Sequence, residues 1–323
     1  MNGTLTDIPG LMVGHWTDRT AATGCTVVLC PDGATAGVDV RGSAPGTREN
    51  TLLNPVNMVQ KVHAILLAGG SAYGLAAADG VMRWLEARGY GFDVGVARVP
   101  IVPGAVIFDL AVGDPLARPD AAAGYAACEA AHAGPVAQGS VGAGTGATVG
   151  KVLGFNRATK GGVGSASRRT AAGVTVAALV VLNAYGEIVD PALGRVIAGA
   201  RHPAGGGFVD TVRVMEGLAE QNWNSLAGQN TTLAVVATDA ALPKVGATKV
   251  AQMAHDGLAR TIRPVHTQFD GDTVFALSLG DRAADVNLIG TLAAEVLAQA
   301  VVNAVGAAEA LAGIPAARDL GHG

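Results

Sequence analysis

The run Asn230-Thr231-Thr232-Leu233-Ala234-Val235-Val236, preceded by Gln229, sets a small amide residue and a hydroxyl at the mouth of an apolar, β-branched stretch that reads as a buried strand. A Thr so placed can attack the carbonyl before it and open the chain. It then carries a hydroxyl nucleophile together with a free α-amine that can serve as its base. The plain alternative is a turn residue followed by a strand start. Asn230-Thr231-Thr232 also fits the N-glycosylation sequon, which needs a secretory route. Residues 1–7 offer neither a basic start nor an apolar stretch, so no signal peptide is expected and the sequon reads as accidental.

Further chemistry lies around this junction. Asp270-Gly271-Asp272 stands immediately before the apolar run Val274-Phe275-Ala276-Leu277. Two neighbouring carboxylates can fix an ammonium and orient a hydroxyl, the two groups a freed Thr N-terminus presents; a tight turn explains the same residues. Asn183 closes the apolar run from Val176 through Leu182, where its amide can donate to an oxyanion or cap a turn. Between residues 130 and 186 no Asp or Glu occurs, yet the stretch holds Lys151, Arg157, Lys160, Arg168 and Arg169. Cations without local counter-ions form a solvated or oligomer-contact surface unless one turns inward to hold charge or move a proton beside a nucleophile. Lys151, among glycines and apolar residues, suits the inward position; Lys160, before Gly161-Gly162, is its rival. The glycine-rich Leu67–Gly74 stretch leads into a helix whose first amides can hold an anion, or it is a tight strand-to-helix crossover.

Other chemistries lose ground. Gly142-Ala143-Gly144-Thr145-Gly146-Ala147 fits the relaxed GxGxxA fingerprint, but no helix pattern follows it and no acid stands about 20 residues on. His255 and His266 lie near the candidate segment without HxH or HxxxH spacing, so no metal centre is expected. A GxSxG elbow is absent. The net charge of −4 without a long basic run argues against nucleic acid. Cys25, Cys30 and Cys128 read as reduced and buried.

The elements that must position these groups are drawn from an unusual palette. Half of the 323 residues are hydrophobic, 15% are charged and 4% are aromatic, with 46 glycines, so Ala, Val, Leu and Ile must build the core. Mean hydropathy is +0.36. The most apolar segment, residues 292–312, carries Glu295, Gln299, Asn303 and Glu309 at helical spacing, which predicts an amphipathic packing helix rather than a membrane span. Strands are expected over Cys25–Cys30, Ala64–Ala68, Val174–Leu182, Leu233–Thr238 and Thr273–Leu279. Helices are expected over Ser71–Arg88 (with Ser71 as N-cap and Gly89 as stop), Pro119–Ala133, Ala247–Ile262 and Leu292–Leu311. Strict βαβ alternation is missing, which favours a layered α+β sandwich in one domain. The scarcity of charge favours a homo-oligomer.

Five segments carry a wider likeness: Val38–Gly42 with Pro45–Glu49, Leu67–Asp79, Val99–Asp109, Asn230–Thr232, and His255–Arg260 running on to Asp270–Ala276. Together they resemble the DmpA-type family, the L-aminopeptidase/D-esterase-like N-terminal-nucleophile hydrolases, which includes hydrolases of 6-aminohexanoate (nylon) oligomers. Asn-Thr at the junction resembles the nylon-oligomer branch, whereas the aminopeptidase namesake uses Gly-Ser. The resemblance implies Thr231 as nucleophile, a scissile bond after Asn230, a catalytic lysine at Lys151, an oxyanion-stabilising amide at Asn183, paired acids at Asp270 and Asp272, and a pocket tyrosine at Tyr73. It implies an αββα sandwich of the kind shared with ornithine acetyltransferase, self-cleaved into an α chain 1–230 and a β chain 231–323. It further implies a homotetramer acting on short peptides or ω-amino-acid oligomers, without metal or organic cofactor, while the three reduced cysteines point to a cytoplasmic protein. Acyl transfer of the ornithine acetyltransferase type, and an unprocessed binding protein, remain as alternatives.

Overall fold

The computed structural model describes residues 3–219 and 230–320; Gln229 and the two N-terminal residues lie outside the described residues. The apolar runs form strands of one nine-stranded sheet. From one edge the order is Gly162–Arg169, Thr175–Asn183, Thr231–Ala240, Thr273–Arg282, Thr23–Val40, Lys61–Ala68, Gly104–Val106 and Thr47–Arg48, with Met12–Asp18 also paired to Thr23–Val40. Thr231–Ala240 runs parallel to Thr273–Arg282, and Lys61–Ala68 parallel to Gly104–Val106; the other pairings are antiparallel. The 18-residue Thr23–Val40 strand joins the two halves of the sheet. Its first part pairs with Met12–Asp18, its last part with Thr273–Arg282, and its register on Lys61–Ala68 shifts between Leu29 and Ala34. Such an irregularity bends a strand and raises its twist.

Five α-helices are described: α1 (Ala77–Glu86), α2 (Ala121–Glu129), α3 (Thr211–Ala219), α4 (Lys244–Thr261) and α5 (Val286–Ala307). The alternation of side chains along each strand decides what these helices cover. Val176, Ala178, Val180 and Leu182, with Ala234, Val236, Val274 and Ala276, pack against α4 and α5. Their neighbours Ala177, Leu179, Val181, Leu233, Val235 and Phe275 face the opposite way, into a cluster shared with Val28, Ile65 and Leu67 of the other half of the sheet. That half turns Cys25, Val27, Leu29, Ala64 and Leu66 towards α1 and α2. Close approach of α1 and α2 depends on paired glycines: a Cβ on Gly80 would lie 1.8 Å from the Ala121 carbonyl oxygen, and one on Gly124 1.9 Å from that of Ala77. The result is a mixed fold of helices and sheet.

Helix α5 is long and apolar enough to cross a membrane by length and composition. Ile289, Val296, Leu297 and Val301 are nevertheless buried against the sheet. Its polar residues are engaged as well: Glu295 pairs with Arg168, and Asn303 donates to the Ser165 carbonyl at 2.8 Å. The expected start of α1 needs correction. Gly70, at φ +80°, precedes a 3₁₀ turn over Ser71–Ala76, and Ser71 itself sits at φ +54° without capping anything. An acid remote in sequence, Asp109, takes the Gly70 N–H at 2.6 Å and so holds the turn ahead of the helix from across the fold. The stop falls at Gly89 (φ +76°) as expected. Residues 142–147 hold a 3₁₀ turn over Gly142–Gly144 followed by the short strand Thr148–Val149, not the helix a dinucleotide site requires. The three cysteines are free and buried, and burial pushes the Cys30 and Cys128 thiols up to about 12.

Candidate active site

Thr231 opens its strand directly opposite Asn183 in antiparallel register, with Thr232 opposite Leu182. Residues so opposed project to the same face of the sheet. One position earlier, Asn230 forms a parallel bridge to Asp270. The Asn230 carbonyl accepts the Gly271 N–H at 3.0 Å and also the Thr231 hydroxyl. The hydroxyl therefore rests on the carbonyl of the peptide bond it would break. Asn230 is fully buried, which is incompatible with glycan attachment at this sequon in the folded chain. Gly271 permits the approach, since a Cβ there would stand 2.8 Å from Thr231 Oγ.

Asp270 and Asp272 flank that glycine, both buried. Backbone holds this strap from one side: Arg41 N–H donates to the Asp272 carbonyl at 3.0 Å, and Ala44 N–H to that of Asp270 at 2.9 Å. Asp272 Oδ1 accepts the Thr232 N–H at 2.6 Å, and its Oδ2 accepts from His266 Nδ1 at 2.7 Å. Asp270 Oδ2 accepts from Thr267 N and Thr267 Oγ at 2.9 and 2.6 Å. Burial, and then the adjacent Asp272 charge, push the Asp270 carboxyl up to about 6.

Asn183 ends its strand fully buried. Its Oδ1 accepts from Lys151 Nζ at 2.8 Å and from Thr148 N at 3.0 Å, which assigns the amide orientation. Its Nδ2 donates one hydrogen to the Phe108 carbonyl at 3.2 Å and has a second to offer. Lys151 Nζ also donates to the Asn183 carbonyl at 3.0 Å. Burial lowers the Lys151 ammonium to about 7, against the raising pull of Asp270. An amine near neutrality can carry a proton in either direction at physiological pH.

The rival lysine is buried too, but elsewhere in the bonding pattern. Lys160 Nζ donates to the Thr145 carbonyl at 2.6 Å, and burial lowers it to about 7 against the opposing charge of Asp109. Asp109 in turn accepts from Thr23 Oγ at 2.8 Å and from Gly70 N. Tyr73 stands apart: it is 60% exposed in the 3₁₀ turn after Gly70, with the Arg118 guanidinium 3.8 Å above its ring. No hydrogen bond or ring contact among the described residues joins it to the Thr231 cluster.

Sequence reasoning passed over His266 as a partner of Asp272, Thr267 as a partner of Asp270, and Tyr185. Proximity to the acids was the only available signal for His266 and Thr267. Tyr185, two residues beyond Asn183, is fully buried, its ring 5.6 Å from that of Phe269, and its hydroxyl has no partner. Burial and the Asp270 charge raise its pKa. Helix α3 covers this corner with Val214, Met215 and Leu218. No group of three or more His, Cys, Asp or Glu suited to a metal ion occurs among the described residues. The cluster thus offers a hydroxyl on a carbonyl, amide donors for an oxyanion, a lysine near neutrality and two carboxylates.

Comparison with known proteins agrees in kind. The sequence model of Peptidase family S58 matches residues 3–318. An uncharacterized aminopeptidase of Mycobacterium tuberculosis is 48% identical, the match covering 98% of this chain and 97% of that protein. A 6-aminohexanoate-oligomer endohydrolase of Kocuria sp. is 35% identical over 92% of this chain and 84% of its own length. Among solved structures, the L-aminopeptidase D-Ala-esterase/amidase of Ochrobactrum anthropi superposes with a TM-score of 0.72 at 21% identity, covering 97% of this chain and 88% of that one. A Burkholderia sp. beta-aminopeptidase gives 0.70 at 23% identity, covering 99% and 95%. At those identities the structural likeness speaks for the fold.

Proposed function

Because the chain belongs to peptidase family S58, we propose that it is a self-processing amide hydrolase whose nucleophile is Thr231. The observation that carries this reading is the Thr231 hydroxyl lying on the Asn230 carbonyl, buried beside Asp270, Asp272 and Asn183. In self-cleavage Thr231 Oγ attacks the Asn230 carbonyl carbon and loses its proton. The Gly271 N–H, already on the carbonyl oxygen, stabilises the negative charge that develops there. The C–N bond breaks as the Thr231 nitrogen takes up a proton, leaving Asn230 esterified to Oγ. Water then hydrolyses the ester to a carboxylate on Asn230 and a free hydroxyl and α-amine on Thr231.

The products are the chains 1–230 and 231–323 of one domain. They stay together because the Thr231–Ala240 strand is paired to Thr175–Asn183, and Thr273–Arg282 to Thr23–Val40. We read the alternation of helix pairs and sheet halves as the αββα sandwich of this family, with self-association to a homotetramer.

In turnover the Thr231 α-amine, with a reference pKa of about 7.7–8.0, accepts the hydroxyl proton as Oγ attacks the substrate amide. The second N–H of Asn183 meets the oxyanion, a role worth about 3–4 kcal/mol in other hydrolases. Lys151 orients that amide and passes protons, while Asp270 and Asp272 orient Thr231. Water then releases the acyl group. Tyr73 contacts substrate from its exposed turn. The substrate class is a short peptide or a linear oligomer of ω-amino acids; the aminopeptidase and oligoamide-hydrolase names of the relatives support these two. No step calls on a metal or organic cofactor.

A denaturing gel with N-terminal sequencing tests the reading. Wild-type protein is expected to give a smaller band beginning Thr231-Thr232-Leu233-Ala234, and Thr231→Ala only the intact chain. One intact band in both, after prolonged incubation, would sink it and leave the unprocessed binding protein. Release of an acyl group to ornithine rather than to water would point instead to acyl transfer.

A further inference from the structure

We infer that His266 is a positioning residue for the proposed nucleophile, holding Asp272 so that this carboxylate fixes the Thr232 N–H and, through it, Thr231. The inference rests on the reading of Thr231 as nucleophile. Asp272 is only 1% exposed, so water has little access to it. Its Oδ1 takes the Thr232 N–H, and its Oδ2 takes His266 Nδ1 at 2.7 Å with the His266 N–H at a longer 3.3 Å. Removing the ring leaves that oxygen with one long backbone contact and frees the carboxylate to rotate. Because an ionised carboxylate only accepts, Nδ1 carries the proton in this pair.

The backbone carries the second observation. His266 sits at φ +56°, a left-handed conformation disfavoured for a residue with a Cβ. That turn gives the two acids to consecutive residues: His266 serves Asp272, and Thr267 serves Asp270. A loop that needed only the turn would be met at less strain by glycine, whereas His adds the donor. The ring is braced from behind by His255 of α4, edge-on with centroids 4.8 Å apart, and His255 is itself anchored by Nε2 on the Asp39 carbonyl at 3.1 Å. Burial lowers His255 to about 4, so it stays uncharged near neutral pH.

The test compares His266→Ala, His266→Asn and His266→Gly in the full chain. It follows the rate of self-cleavage, kcat and KM on L-alanine 4-nitroanilide, and the thermal melt. His266→Ala is expected to slow self-cleavage and lower kcat by about 10–100-fold with KM within about threefold, the signature of a misplaced nucleophile. His266→Asn, which tolerates the left-handed backbone and keeps a donor, is expected to recover most of that loss. His266→Gly is expected to melt no lower than wild type, because it relieves the strain, while being as slow as His266→Ala; it decides the matter if the alanine variant fails to fold. Wild-type rates in the glycine variant, or an asparagine variant as slow as the alanine one, would overturn the inference. Thr231→Ala separates the two readings: if it still self-cleaves, the nucleophile reading fails, whereas if it is inert and the His266 variants match wild type, only this inference fails.

Discussion

Lys151 and Lys160 come from one acid-free stretch, are both fully buried, and are both lowered to about 7 by the loss of solvent. Their partners differ. Lys151 reaches across to the end of a neighbouring strand and holds the side chain and carbonyl of Asn183, the residue paired with Thr231. Lys160 bonds to the Thr145 carbonyl and is balanced by Asp109, which accepts the Gly70 N–H. Burial and a lowered pKa are thus shared by a lysine bonded to the candidate site and one bonded to a loop carbonyl outside it. What separates them is the hydrogen-bond partner and that partner's place in the ladder.

The sharpest way to break this contrast is substitution of each lysine by methionine. Lys151→Met is expected to lower kcat by about 10²-fold or more, the scale of a lost proton-transfer group. Its effect on the melt should be small, because an ammonium that burial disfavours has been removed. Lys160→Met is expected to do the reverse. The Thr145 carbonyl would lose its buried donor and Asp109 a nearby positive charge, at a cost of about 1–3 kcal/mol in urea unfolding, while kcat stays within about tenfold. Adding Asp109→Asn should return part of that stability. If Lys160→Met alone abolishes turnover in a well-folded protein, the assignment of the two lysines is inverted.

The dependence of rate on pH sharpens the same contrast with a smaller effect. Asp270 is pushed up to about 6 and Lys151 down to about 7. Going down in pH, Lys151 gains its proton first and ceases to accept one, and Asp270 then loses its negative charge. The rate should therefore rise from pH 6 to 8. Lys160→Met should leave that limb in place, and Lys151→Arg, which stays charged, should flatten its upper part. A profile unchanged in Lys151→Arg would remove the lysine from the proton path. The smallest effect is expected at Tyr73: its exposed ring under Arg118 predicts that Tyr73→Ala raises KM a few-fold and leaves kcat unchanged. A collapse of kcat would place it inside the site.

Much of the scaffold was legible because continuous apolar runs of Val, Leu and Ala read as strands buried on both faces. The runs around Cys25, Ala64, Val176, Leu233 and Thr273 are strands whose ends lie within three residues of those expected, except that the strand begun at Cys25–Cys30 runs on by ten residues to Val40. The start of α1 was not legible, because Gly70 and Ser71 take left-handed backbone angles and a 3₁₀ turn over Ser71–Ala76 comes before the helix. His266 was visible as a residue type near two acids, but its use depends on a left-handed backbone and on His255 of α4 packing behind the ring. The choice between Lys151 and Lys160 had to stay open, since glycines stand beside both and no local pattern names the acceptor that would draw either one inward.

By itself the amino-acid sequence determined which groups were available: a hydroxyl after an amide at a strand mouth, two acids around one glycine, an amide at the end of an apolar run, and two lysines without local counter-ions, either of which could turn inward. Those follow from residue type and short-range periodicity, which act over a few residues. Tertiary structure alone decided that Asn183 stands opposite Thr231, that the strap through Gly271 passes within reach of its hydroxyl, and that His266 completes the Asp272 carboxylate. Register between strands far apart in the chain is set by the burial of whole faces at once, and no local pattern encodes which residues end up facing each other.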